Sequence, residues 1–120
     1  NRHMNIEVLV INYLSTNLAG WSITGEVPKT LPDKFITVER TGGGRNYKVQ
    51  DLAEIQVSVY HKNSKLTASE MANDIADIAH GIYEDYEDIT KVSVNSIIQN
   101  DDTVRGYRRY LVFLDVYNRR

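Results

Sequence analysis

Four groups of residues in this chain could do chemistry. Gly42-Gly43-Gly44-Arg45 is the first, because backbone amides freed of Cβ atoms can cradle a phosphate. The rest of a phosphate loop is missing: no Lys-Ser or Lys-Thr follows, and no helix is expected to start there. The stretch to Asp51 therefore reads as a hairpin tip or assembly arm carrying Arg45 and Lys48, where Gly43→Ala should be tolerated. The second group, Glu84, Asp85, Glu87 and Asp88, could hold a hard cation but lacks the spacing of a calcium loop. At the C-terminal end of an expected helix these carboxylates oppose the macrodipole, which favours a subunit-pairing or solvated face over a metal site. The third group, His61 and His80, shares no spacing that would build a zinc site. Both read as surface or satisfied histidines.

The fourth group is Arg105, Arg108, Arg109, Arg119 and Arg120, interleaved with Tyr107, Tyr110 and Tyr117. Such residues could contact phosphates and stack on bases. On alternating strand positions Tyr and Arg also make protein–protein surfaces, which is the preferred reading. There is no cysteine, so a nucleophile would have to be an activated Ser or Thr, and no motif sets one beside a histidine base. The sequence thus names no catalytic residue, no metal ligand and no cofactor.

The elements that must position these groups follow from composition and periodicity. With 120 residues, 42% hydrophobic and 25% charged, the chain has the make-up of one ordinary globular domain. Asn1-Arg2-His3 before Met4 reads as a cloning remnant, leaving 4–120 as the domain. No membrane span or signal peptide is expected. The absence of cysteine fits a reducing compartment, and the formal charge of −2 gives no support for wholesale nucleic-acid binding.

Lys65 to Tyr86 is the clearest amphipathic helix. Thr67 and Glu70 can form a capping box, with Leu66 and Met71 as a hydrophobic staple. Met71, Ile75, Ile78 and Ile82 then recur on one stripe, flanked by Ala68, Ala72, Ala76 and Ala79. An earlier helix is expected from Met4 to Leu18 with Val8, Ile11, Leu14 and Leu18 facing the core, ending before Gly20. Strands are expected at Trp21 to Val27, Phe35 to Arg40, Ala53 to His61, around Val92, Val94 and Ile97, and at Tyr107 to Tyr117. Asn100-Asp101-Asp102 reads as a turn. The final strand is apolar on both faces, which places it centrally or against a partner. The order is α-β-β-β-α-β-β, an α+β domain with two helices on one face of a mostly antiparallel or mixed sheet of about five strands.

Taken in order, Phe35-Ile36-Thr37-Val38-Glu39-Arg40-Thr41-Gly42-Gly43-Gly44, then Asp51-Leu52-Ala53-Glu54-Ile55-Gln56-Val57-Ser58-Val59-Tyr60, then a helix bearing Ala68 and Ala72, resemble the tail terminator or tail completion (head–tail joining) proteins of long-tailed bacteriophages and prophages. His61-Lys62-Asn63 departs from the simplest pattern of that family. The resemblance implies a non-enzymatic ring, usually a hexamer, that caps the tail tube and docks to the head connector. It implies a place in the virion tail, with assembly in the bacterial cytoplasm, and no membrane or specific nucleic-acid partner. The alternative is a small regulatory or nucleic-acid-binding module using the Arg-Tyr strand. For the ring, the expected interface pairs Gly42, Gly43, Gly44, Arg45 and Lys48 of one subunit with Glu84, Asp85, Glu87 and Asp88 of the next.

Overall fold

The computed structural model describes residues 5–44 and 50–119. Helix α1 (Ile6–Asn17) leads into a short strand β1 (Ser22–Thr24) and the long hairpin of β2 (Lys34–Gly44) and β3 (Gln50–His61). Then come α2 (Lys65–Ala79), the single turn α3 (Ile82–Asp85), and the strands β4 (Ile89–Gln99) and β5 (Arg108–Arg119). The sheet order is β1-β2-β3-β5-β4, with β1 parallel to β2 and every other pair antiparallel. This is the expected α+β domain with a five-stranded mixed sheet, and β5 is internal, hydrogen-bonded on both sides. A twelve-residue strand spans about 40 Å, so the hairpin runs nearly the full 45 Å of the molecule.

Alternation along the strands decides which side is covered. Ile36, Val38, Ile55, Val57, Val59, Val112, Leu114 and Val116 all face the helices and are buried there with residues of α1 and α2 in one apolar core. The intervening residues face away, onto a side without a helix among the described residues. At one end of that bare side Phe35, Tyr60 and Tyr107 form a second, smaller cluster with Val27. Phe35 and Tyr60 stack with centroids 4.3 Å apart, and the Tyr107 hydroxyl donates to Pro32 O at 2.6 Å.

Several boundaries and faces differ from the sequence reading. In α1 the buried residues are Ile6, Leu9, Val10, Tyr13 and Leu14, while Val8 is 49% exposed. The crowded run Val8 to Ile11 supports two helical stripes by spacing alone. The stripe that wins also carries Tyr13, whose hydroxyl donates to Ile78 O at 2.7 Å and ties α1 to α2. Asn5 caps this helix by accepting from Val8 N.

Helix α2 is capped three residues, nearly one turn, earlier than the expected capping box. Ser64 is the N-cap, and its Oγ accepts from Thr67 N at 3.0 Å. His61 Nδ1 accepts from Ser64 N and Asn63 N, fixing the approach to the cap. Thr67 is thereby the residue being capped, and Leu66, 68% exposed, does not staple to Met71. The stripe is also rotated: Ala68, Ala72, Ile75 and Ala79 are its buried centre, with Met71 and Ile78 on its flank. Small side chains at the centre let the helix backbone approach the sheet closely. The helix stops at Ala79 rather than Tyr86, because Gly81 N turns back to Ile78 O. A Cβ on Gly81 would crowd the Tyr13 hydroxyl. Ile82, fully buried, resumes the apolar stripe in α3.

The triple glycine is strand rather than loop. Gly42, Gly43 and Gly44 pair with Glu54, Ala53 and Leu52, after a bulge between Arg40 and Gly42. Gly43 has φ +123°, and a Cβ there would strike the Leu52 carbonyl oxygen. The expected tolerance of Gly43→Ala is therefore corrected: only glycine fits this close backbone approach.

Candidate interaction surfaces

The two ends of the sheet carry the candidate residues. At the turn end lie the starts of β2 and β5, the ends of β3 and β4, and the turn joining β4 to β5. Asp102, buried at 6% exposure, organises that turn. It accepts from Arg105 N at 3.1 Å and from Arg105 Nη1 at 2.7 Å, and its Oδ2 lies 3.9 Å from Arg109 Nη1. Burial pushes the Asp102 carboxyl up, but the Arg105 hydrogen bonds and the Arg105 and Arg109 charges outweigh it and hold the group below its ordinary value. Asp101 is also lowered, chiefly by the Arg109 backbone amide, with burial acting in the opposite direction. Arg108 Nε stands 3.2 Å from Asp101 Oδ2 as an ion pair. The Arg109 guanidinium donates to Asn100 O at 2.7 Å and to the Tyr60 hydroxyl at 3.3 Å.

Arg105, Arg108 and Arg109 are therefore engaged within their own hairpin. Their expected aromatic companions are dispersed: Tyr107 is in the small aromatic cluster and Tyr110 packs against the main core. Tyr117 lies under Lys91, whose Nζ is 5.7 Å from its ring centroid. The stacking platform required by the nucleic-acid alternative is not assembled from these residues. Arg119 is exposed, and Arg120 lies outside the described residues.

At the opposite, glycine end are Gly42, Gly43 and Gly44 on β2 and, three strands across, the start of β4. Glu84 and Asp85 are on α3, Glu87 and Asp88 in the turn before β4, and all four are exposed. Gly42, Gly43, Gly44 and the acidic segment thus share one end of the described residues. Arg45 and Lys48 lie outside the described residues. The macrodipole reasoning for the acidic segment does not carry over, because α2 ends at Ala79 and Glu84 and Asp85 occupy the first turn of a separate helix. These carboxylates do reach Tyr13, whose phenol is raised by burial and then by the Asp85 and Glu84 charges. Its hydroxyl accordingly remains a donor to Ile78 O.

Shallow pockets open among the described residues of the bare face between the two ends. One, of about 360 Å³, is lined by Thr41, Glu54, Asn95, Ser96, Phe113 and Asp115 among others. Glu54 and Asp115 are direct cross-strand partners, and Asp115 Oδ1 has no hydrogen-bond partner among the described residues. The bulges at Thr41 and Asn95 flank this pair on either side. The other pocket, of about 380 Å³, lies under Glu26 and Val27 beside the exposed edge of β2. There Glu7 of α1 accepts from Arg40 N, occupying one backbone donor of the edge where β1 has ended. Sequence reasoning missed the Glu54–Asp115 pair, because alternation gives each strand's faces but not the register that opposes two acids. His80 is exposed at the end of α2 and His61 fixes a turn. No cluster of three or more His, Cys, Asp or Glu suited to a metal occurs among the described residues. No helix among them is long and apolar enough to cross a membrane.

Neither a family model nor a curated protein matches the chain.

Proposed function

We propose that this chain is a non-enzymatic structural subunit of a phage or prophage tail, which closes into a ring at the end of the tail tube and joins it to the head. The observation that carries the reading is the bare side of the sheet. Ile98 is 47% exposed, and Phe113 and Tyr117 are half-buried on the face opposite the helices. The core is already complete on the helix side, so these groups are surplus to folding and available to the tail tube protein or the head connector, leaving the contact between copies to other surfaces. The order of features that resembles tail terminator proteins gives the assembly its identity: copies of this chain, a tail tube protein and a head connector. Engagement of Arg105, Arg108 and Arg109 inside their own hairpin weighs against the regulatory or nucleic-acid alternative.

Light scattering after gel filtration, with electron microscopy of the protein mixed with phage tail tubes, tests this. The expected result is a closed oligomer, hexameric by the resemblance, seated at tube ends. A chain that never binds tube ends would overturn the proposal. So would tight duplex DNA binding in about 150 mM salt that is lost on Arg108→Glu with Arg109→Glu.

A further inference from the structure

Among the described residues, exposed lysines collect at one end of the 45 Å molecule and exposed carboxylates at the other, and each end carries exposed apolar side chains. At the turn end, Lys29, Lys62 and Lys65 are exposed, and no ion pair holds any of them among the described residues. Lys34 lies over the Trp21 ring, 5.1 Å from its centroid. Asp33 and Glu70 are the acids nearest in sequence, while Asp101 and Asp102 are taken by arginines. Two hydrogen bonds bring these segments to one end: Lys62 N donates to Asp33 O, and the Tyr107 hydroxyl donates to Pro32 O. Among the lysines stand Leu31 at 36%, Leu66 at 68% and Val104 at 93% exposure. Val104 sits on a turn that the Asp102–Arg105 pair holds rigid.

The glycine end is the complement. Glu84, Asp85, Glu87 and Asp88 follow Tyr83 in the chain, and all five are exposed, Tyr83 at 51%; Glu54 and Asp115 oppose each other further along the sheet. Its described cations are otherwise engaged or few: Arg40 donates to Gly42 O and Leu52 O, Lys91 covers Tyr117, and Arg119 is exposed.

We infer that the turn end of one copy docks on the glycine end of a second copy, with Lys29, Lys62 and Lys65 meeting Glu84, Asp85, Glu87 and Asp88, and Leu31, Leu66 and Val104 meeting Tyr83. Opposite charges set orientation and encounter rate, and burial of the apolar groups between them holds the contact. The contact is heterologous, so successive copies repeat it and close into a ring when the rotation permits. The basic half of the interface is then the lysine end, in place of Arg45 and Lys48. The inference deepens the ring reading by naming which surfaces of two copies meet, and it can fail while that reading stands.

Sedimentation velocity on the full chain over a range of concentrations is the test, with two double variants at exposed positions: Lys62→Glu with Lys65→Glu, and Glu84→Lys with Glu87→Lys. Circular dichroism checks that both remain folded. Each variant alone is expected to self-associate about tenfold or more weakly than the parent. An equimolar mixture of the two is expected to recover association, because each altered end then finds a complementary end. Raising salt from about 50 to about 500 mM should weaken the parent and the mixture alike. Parent protein that stays monomeric at about 1 mM, variants that associate like the parent, or a mixture that fails to recover would each overturn the inference. Rings at tube ends formed unchanged by both variants would remove this contact and leave the proposed function intact. Binding of a DNA duplex by the parent, lost in the lysine variant and unaccompanied by self-association, would reassign the basic end to nucleic acid.

Discussion

The turn end and the glycine end of the same sheet use charge in opposite ways. At the turn end, Asp101 and Asp102 are consumed by Arg105, Arg108 and Arg109, and an aromatic cluster of Phe35, Tyr60 and Tyr107 packs beside them. Charge there is part of the fold, and the lysines are what remains. At the glycine end the chain is held by backbone pairing of glycines and by Ile82 in the core, while the carboxylates of α3 and the following turn are solvated. A charge contributes to stability where burial and hydrogen bonds focus it, and contributes little where water screens it. The two ends should therefore respond differently to substitution.

The largest effect is expected at the turn end. Phe35, with no exposed surface, is the centre of the aromatic cluster, and Phe35→Ala should cost about 3 to 5 kcal/mol in urea denaturation. A loss within about 0.5 kcal/mol would mean that the cluster is not part of the stable unit. Next comes Gly43→Ala at the glycine end, where φ is +123° and a Cβ meets the Leu52 carbonyl. A loss of about 1 to 3 kcal/mol is expected, with faster hydrogen exchange at Leu52 and Ala53. Parent-like stability would place the glycines in an open loop after all.

That second site shows what the sequence did and did not reveal. Strict alternation in Ile55, Val57 and Val59 makes β3 and its buried face legible, and the apolar faces of Leu111 to Val116 allow β5 to be central or against a partner, of which the sheet order selects the central place. The glycines read as a loop because conformational freedom is the same signal for a tip and for a close backbone approach. Only the pairing of Gly43 with Ala53 separates the two. Ile75 of α2 and Ile82 of α3 lie in the core as their spacing indicates, but Leu66 does not, because Ser64 and Thr67 are both competent caps. Tertiary support from His61 chose between them. Long-range partners such as Tyr13 with Ile78, or Glu54 with Asp115, leave no local trace.

A smaller effect sharpens the comparison through pH. The folded-state pKa of Asp102 is depressed, so its ionised form adds stability above the ordinary carboxylate range, and that contribution is lost as pH falls through the folded value. Asp102→Asn should thus be less stable than the parent at neutral pH, with the difference shrinking in acid. A difference that stays constant with pH would show that the carboxylate charge is not what locks the turn. The smallest effect belongs to the acidic segment: Glu84→Gln with Glu87→Gln should change monomer stability by no more than about 0.5 kcal/mol. A larger loss in thermal unfolding would make those carboxylates structural and erase the contrast between the ends.

Hydroxyl-radical footprinting of dilute and assembled protein tests the central claim most directly, because it reads the exposure of individual side chains. The account predicts that Leu31, Leu66 and Val104 at one end and Tyr83 at the other become protected together on self-assembly. Val8 on the outer side of α1 and Ile98 on the bare face should stay as reactive as in the free chain. Protection confined to Ile98 and Phe113, with both ends still open, would contradict it.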